Sequence, residues 1–383
     1  MQVKNYNLES FLEKELKTLE EKNLLRMVTD YSKKNLINFS SNDYLGLAEN
    51  KVVPAEITPH NIGSSGARLA TGTHPIHLEL EQYISTWKKT DSALVFSSGY
   101  LANSGVIPAL MGVQDVVFCD ELNHACIFDG IRLSGAKKFF YKHNDTGHLK
   151  ELLETHRHNY QKAMVITDSV FSMDGDKAKL DEIVFLKKFF DFFIYVDEAH
   201  GSGILGTNGS GLVEELTEKN LICKEDIEIQ MGTFSKAIGV EGAYIAGSKK
   251  LIDFLLNSAR TFMFSTAPSP FICSLILKNL KTAIDKTELR SKLQENILYT
   301  RSLLEAEQIQ DWSNEGTAIF AVFVGDVEKT LDISKRLLEA GFLVLGIRPP
   351  TVSSPRLRIC ISAKHSKEDI SKLIKTISQL RGV

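Results

Sequence analysis

From about residue 90 to 250, short apolar runs alternate with segments long enough to be helices. The runs are Ala93–Phe96, Val116–Phe118, Lys138–Tyr141, Met164–Ile166, Phe193–Val196, Ile227–Met231 and Ala243–Ala246. Such runs suit strands buried on both faces, and their alternation with helices predicts an α/β domain around a mostly parallel sheet. Upstream, Leu8, Phe11, Leu12, Leu16 and Leu19 recur at helical spacing. Residues 8–25 therefore read as an amphipathic helix packed on a partner surface. Leu36–Phe39 is strand-like. After about 270 the pattern changes to a long polar helix (270–308), a strand (318–324), a helix (328–340), two short strands and a last helix from about 366. This predicts a smaller α+β domain. The expected division is an N-terminal arm and helix over 1–50, a large domain over 51–265 and a small domain over 266–383.

Composition narrows the partners more than the fold. Of 383 residues, 43% are hydrophobic and 24% charged, with a net charge of -3. That balance gives no pull toward nucleic acid or an anionic membrane. The pairs Lys33–Lys34, Lys88–Lys89, Lys187–Lys188 and Lys249–Lys250 are scattered and read as solvated surface. No apolar stretch is long enough to span a bilayer, and the start leads into a charged helix with no secretory signal. The five cysteines (Cys119, Cys126, Cys223, Cys273, Cys360) are odd in number and show no Cys-x-x-Cys pair. They read as reduced thiols of a cytosolic protein, with neither disulfides nor a metal site.

Three motifs point elsewhere and lose on inspection. Gly201-Ser-Gly-Ile-Leu-Gly206 fits a dinucleotide fingerprint, but Asp197–His200 separates it from the strand and no helix opens after it. Asp197-Glu-Ala-His200 spells a helicase signature, yet the chain contains no Gly-Lys pair for a phosphate loop. His74 and His77 have a spacing a metal could use, without companion ligands. A hydrogen-bonded histidine pair is the better expectation.

The chemistry gathers around two residues. Lys236 lies among small and hydroxyl residues in Met231–Gly239, a setting in which an amine can bond an aldehyde. Asp197 ends an apolar run, where a carboxylate can hold a proton on a buried heterocyclic nitrogen. These are the two groups pyridoxal phosphate (PLP) asks of a protein. Ser97–Asn103 follows a strand with small residues, which suits either a phosphate cradle or a tight turn. Asp120–His124 and Thr167–Gly175 are polar strand exits. His124 there suits a stacking or a surface role, and the Ser172 hydroxyl a ligand contact or a turn cap. Thr233 and Ser235 flank Lys236 closely enough to meet the same phosphate.

Taken in order, these segments resemble the α-oxoamine synthases of the aspartate aminotransferase-like (fold type I) PLP enzymes. The resemblance covers nearly the whole chain and includes Asn38–Leu47, Gly63–Gly72, Val170–Asp176, Val196–Gly201 and Gly232–Ala237. It implies that Lys236 carries the cofactor, Asp197 pairs with the pyridine nitrogen, His200 meets the ring hydroxyl and His124 stacks over the ring. It implies Gly99, Tyr100 and Thr233 at the phosphate, Ser172 near the cofactor, and Arg26, Asn42, Thr351 and Arg358 (with His124) at substrate. Ser265 and Thr266 would reach the phosphate of a neighbouring subunit, making the chain a homodimer. Gly346–Val352, followed by Arg356-Leu-Arg358, is most like the branch that joins L-alanine to a pimeloyl thioester, on coenzyme A or a carrier protein, for biotin synthesis. Pro349–Pro350 would hold that backbone extended and present Thr351. The chain departs from the family in a shorter Ser353–Pro355 loop and in Asp168, where glutamate is usual. The alternatives are a sister synthase using glycine or serine, a PLP aminotransferase or lyase, and a non-catalytic scaffold of the same fold.

Overall fold

The structure is a computed structural model that describes residues 7–26, 28–32, 35–49, 61–311 and 316–381. The expected boundary at 50/51, the first six residues and the Lys33–Lys34 pair lie outside the described residues.

All seven apolar runs become strands of one sheet. After β1 (Ile37–Asn38) come β2 (Ser92–Phe96), β3 (Val116–Asp120), β4 (Lys137–Tyr141), β5 (Ala163–Asp168), β6 (Phe193–Asp197), β7 (Ile229–Thr233) and β8 (Ala243–Gly247). Their order across the sheet is β2-β8-β7-β6-β5-β3-β4. Only β8 runs against its neighbours; β7, β6, β5, β3 and β4 are parallel. Strands β3, β5, β7 and β8 are buried at every position, as a sheet covered by helices on both faces requires. Strand β4 closes one edge and leaves Lys137 and Lys138 exposed. Charged side chains on an edge strand discourage pairing with another chain.

Beyond residue 270 the expectation needs two corrections. The single long helix is two, Pro270–Asp285 and Thr287–Ala306, with Lys286 between them in a non-helical conformation (φ -88°, ψ 72°). The later strands number four: β9 (Ile319–Phe323), β10 (Phe342–Leu343), β11 (Leu345–Ile347) and β12 (Arg356–Cys360). Strands β11, β12 and β9 form an antiparallel sheet. The N-terminal strand β1 pairs in parallel with β10, so the arm is tied to the C-terminal part of the chain. The helix Leu8–Glu21 buries none of its residues against the rest of this chain, and its apolar stripe is exposed.

Two motifs set aside above have structural tasks. Glu198 is fully buried and accepts the backbone N–H groups of Leu212 and Val213, both at 3.0 Å, at the start of helix Leu212–Glu218. His77 accepts from the His74 backbone N–H through Nδ1 (2.9 Å), and its Nε2 contacts the Pro268 carbonyl at 2.8 Å. The five cysteines are free thiols.

Candidate active site

Ligands in parallel sheets collect beyond the carboxyl ends of the strands. Here five strands deliver polar groups to that edge. Strand β2 leads into Ser98 and Gly99, β3 into His124, β5 ends in Asp168, β6 ends in Asp197 and leads to His200, and β7 ends in Thr233 and leads to Lys236. A cavity of about 210 Å³ opens between them, lined by Gly99, Tyr100, His124, Asp168, Asp197, His200, Thr233, Ser235 and Lys236, among others. A larger cavity of about 500 Å³ at the opposite end of β6 and β7 holds none of these groups.

Each side chain is fixed by local structure. Asp197 is 4% exposed; its Oδ1 accepts from the Ala199 backbone N–H and its Oδ2 from Asn103 Nδ2, both at 2.9 Å. Burial draws the Lys236 ammonium below its ordinary pKa range, against the pull of Asp197 and Asp168. Burial, aided by the charges of Lys236 and Arg358, holds His200 well below the usual histidine range, so it is neutral. Its Nδ1 lies 2.8 Å from the Tyr44 hydroxyl. His124 caps the helix Ala125–Ser134, its Nδ1 accepting from the Cys126 backbone N–H at 3.3 Å.

The arrangement fits PLP on its own terms. Helix Gly99–Leu110 points its start at the cavity. Of its first N–H groups, those of Leu101 and Ala102 are taken up by Ser98, which leaves Gly99 and Tyr100 without an intrahelical acceptor. A Cβ on residue 99 would sit 2.7 Å from Thr233 Cγ2, so only glycine leaves the cradle open. The Thr233 hydroxyl is buried without a partner among the described residues. Donors of this kind at a helix start suit a phosphate. The Tyr100 hydroxyl is turned away, to Asp129, so this residue offers its backbone N–H.

The expected substrate residues form a second group. Arg358 is 7% exposed; Nε donates to the Ser172 carbonyl at 2.5 Å and Nη2 to Asn42 Oδ1 at 3.0 Å. Ser172 thus contributes through its backbone and does not line the cavity. Arg356, two residues along the same strand, is tied to Asp174. Arg26 donates to Thr351 Oγ1 at 2.8 Å, joining two of the residues expected at substrate. Arg348 holds the same arm through the carbonyls of Asn23 (2.6 Å) and Leu25 (3.2 Å). The Pro349–Pro350 pair is not extended: the Thr351 N–H turns back to the Arg348 carbonyl at 3.1 Å. Ser265 and Thr266 stand outside the cavity, and residues 264–267 do have a partner in their own chain. Thr266 bridges Ala67, and the Ala267 N–H donates to Gly66 at 2.9 Å.

Four residues of the site escaped the sequence reading. Asp168 lines the cavity with Oδ1 unpartnered, and burial beside Asp197 drives its carboxyl far up, toward the protonated form. Asn103 lies behind Asp197, Cys126 lines the cavity beside His124, and Arg348 anchors the arm. Only Asp168, at a strand end beside Asp197, left a signal in the pattern.

Comparison with known proteins agrees with this geometry. The family described as aminotransferase class I and II matches residues 34–377. A protein of Rippkaea orientalis, provisionally named 8-amino-7-oxononanoate synthase, is 39% identical over 97% of this chain and 99% of its own. One of Bacillus cereus with the same name is 42% identical over 90% of this chain and 87% of its own. Among solved structures, serine palmitoyltransferase from S. paucimobilis with PLP–myriocin bound superposes with a TM-score of 0.88 at 26% identity, covering 98% of each chain. The 8-amino-7-oxononanoate synthase of Francisella tularensis superposes with a TM-score of 0.77 at 26% identity, covering 91% of this chain and 98% of that one. The chain belongs to the aminotransferase class I and II family and, within it, to the α-oxoamine synthases.

Proposed function

We propose that this PLP-dependent acyltransferase condenses L-alanine with a pimeloyl thioester to give 8-amino-7-oxononanoate. One carbon–carbon bond forms, the thiol leaves, and the alanine carboxylate departs as CO2. The observation that carries an amino-acid substrate is Arg358. It is a buried cation whose partners among the described residues are all neutral: the Ser172 carbonyl, the Asn42 amide, the Cys360 thiol and the Tyr44 hydroxyl. A buried guanidinium without an anion calls for one, and its fork matches a carboxylate. The names of the relatives favour alanine and the pimeloyl group.

When bound, PLP supplies an electron-withdrawing ring that stabilises negative charge at the amino acid's α-carbon. Lys236 carries the cofactor at rest and, once released, takes the α-proton as general base. Its lowered pKa leaves more of the amine free for both tasks. Asp197 would hold a proton on the ring nitrogen, and His200 would meet the ring hydroxyl. His124 would pack against the ring, while Gly99, Tyr100 and Thr233 would hold the phosphate. Arg358, set by Asn42 and Ser172, grips the carboxylate, and Arg26 with Thr351 faces the acyl group.

The test is product identification with alanine, glycine and serine against acetyl, succinyl, pimeloyl and palmitoyl thioesters. Alanine with pimeloyl thioester is expected to lead. The higher superposition on serine palmitoyltransferase favours a second reading, serine with a long acyl chain, and a lead for that pair replaces the first. Arg358→Ala is expected to raise the alanine KM at least about tenfold, since a charge-assisted hydrogen bond contributes about 1.5–3 kcal/mol. PLP affinity should hold within about threefold on the same scale. Equal losses in both would move Arg358 away from the carboxylate.

A second copy of the chain is also part of the proposal, in the cytosol. Ile62, Leu69, Leu78 and Phe264 are exposed apolar groups in or near the segments around Ala67 and Thr266. A patch of this kind fits a second subunit, which would bring Ser265 and Thr266 to its partner's phosphate. Mixing Lys236→Ala chains with Thr266→Ala chains, each inactive alone, is expected to restore part of the activity. Verified heterodimers without recovery would show that the sites are not shared. Among the described residues no helix is long and apolar enough to cross a membrane.

A further inference from the structure

At the back of the cavity, one buried amide touches Asp197 directly and reaches His124 through the Cys126 sulfur. We propose that Asn103 and Cys126 are positioning residues, orienting Asp197 and His124 together through a hydrogen-bond chain with a single direction. The inference rests on the placement of His124 over the cofactor given above.

The direction follows from what each group can do. The Tyr195 hydroxyl donates to Asn103 Oδ1 at 2.5 Å. Asn103 Nδ2 donates to Asp197 Oδ2 at 2.9 Å and approaches Cys126 Sγ at 3.1 Å. An ionised carboxylate accepts only, so the nitrogen side of the amide must face Asp197. That orientation gives both amide hydrogens a target, Asp197 and the Cys126 sulfur. The thiol's own hydrogen is then free for its remaining neighbour, His124 Nδ1, at 2.8 Å. Burial pushes the Cys126 pKa up to about 12, so the sulfur keeps that hydrogen near neutral pH. The Cys126 backbone N–H reaches the same nitrogen at 3.3 Å. Nδ1 is therefore an acceptor, and packing lowers the His124 pKa, which favours the neutral ring. A neutral imidazole that accepts at Nδ1 carries its hydrogen on Nε2. His124 offers the cavity a donor and not a base. Asn103 and Cys126 are 0% and 3% exposed, so water does not compete for these bonds.

The test compares Cys126→Ala with Cys126→Ser by ¹⁵N NMR of histidine-labelled, cofactor-free protein, and by kinetics of the holoenzyme. Wild type should show His124 as the Nε2–H tautomer. Cys126→Ala, left with the longer backbone contact alone, should show a mixture with Nδ1–H. Its kcat should fall about five- to tenfold, the worth of one hydrogen bond, with PLP affinity little changed. Cys126→Ser keeps a donor at that place and should recover both the tautomer and most of the turnover. An Nδ1–H tautomer in wild type, or an unaltered tautomer in Cys126→Ala, overturns the proposal whatever the turnover does. An altered tautomer with unaltered turnover upholds the chain of bonds and removes His124 from the reaction instead, so the two readings fail separately.

Discussion

Lys236→Ala is expected to lower turnover by at least about a thousandfold, because the variant loses the general base, itself commonly worth about 10²–10⁴, along with the covalent attachment. The loss should come without unfolding. The Lys236 ammonium makes no hydrogen bond or ion pair with a described residue, so truncation strands no hydrogen-bond partner; relief of a buried charge is set against the loss of its attraction to Asp197 and Asp168. The cofactor-free variant should melt within a few degrees of the wild type. Borohydride reduction of the wild-type holoenzyme followed by peptide mapping should place the cofactor on Lys236, and on no lysine in the variant. A label on Lys177 or Lys249 would sink the assignment.

The second large effect is expected at Asp197. In Asp197→Asn the ring nitrogen loses its acidic partner, and turnover should fall about 10²–10³-fold, the usual scale for removing one preorganised electrostatic partner. PLP should still bind, since Gly99, Tyr100 and Thr233 are untouched. The structure adds a stability cost that the reaction alone would not suggest. Both carboxylate oxygens accept hydrogen bonds, from the Ala199 N–H and from Asn103 Nδ2. An asparagine has one acceptor to offer, so its amide nitrogen must face one of these two donors. Turning Asn103 over to compensate would set a nitrogen against the Tyr195 hydroxyl. A buried donor left unpaired costs about 1–3 kcal/mol, so the variant should also melt several degrees lower. Turnover of alanine equal to wild type would show that Asp197 does not hold the ring proton.

The difference between these two variants reflects how much of the site was legible in the sequence. Lys236, Asp197, His124, His200, Gly99, Tyr100 and Thr233 sit at the ends of strands whose apolar runs are continuous, and strand ends in a parallel sheet face one edge. The ends of the runs thus pointed to Lys236, Asp197 and the turns that hold Gly99, His124 and Thr233, while the part given to His200 came from the family resemblance. The group behind them was hidden for a physical reason. Asn103 lies on a helix and Cys126 on another, and what matters is a contact made across the sheet to Tyr195 and Asp197. No local periodicity encodes such a meeting. The break at Lys286 was missed because no Gly or Pro marks it, and the flanking Asp285 and Thr287 are only weak helix breakers. At Pro349–Pro350 the ring constraint on φ was read correctly as stiffness, but stiffness is compatible with a turn as well as with an extended segment.

The ties between the two ends of the chain also set a timetable for synthesis. Strand β1 waits for β10, and Arg26 waits for Thr351, 325 residues later. At roughly 5–20 residues per second, a ribosome needs about 15–65 s to cover that interval. Throughout it the arm has emerged while its strand partner has not been made. The contact between the arm and Thr351 is thus the last of these to be assembled, and a chain released before residue 342 has Lys236 and Asp197 but nothing to receive the arm.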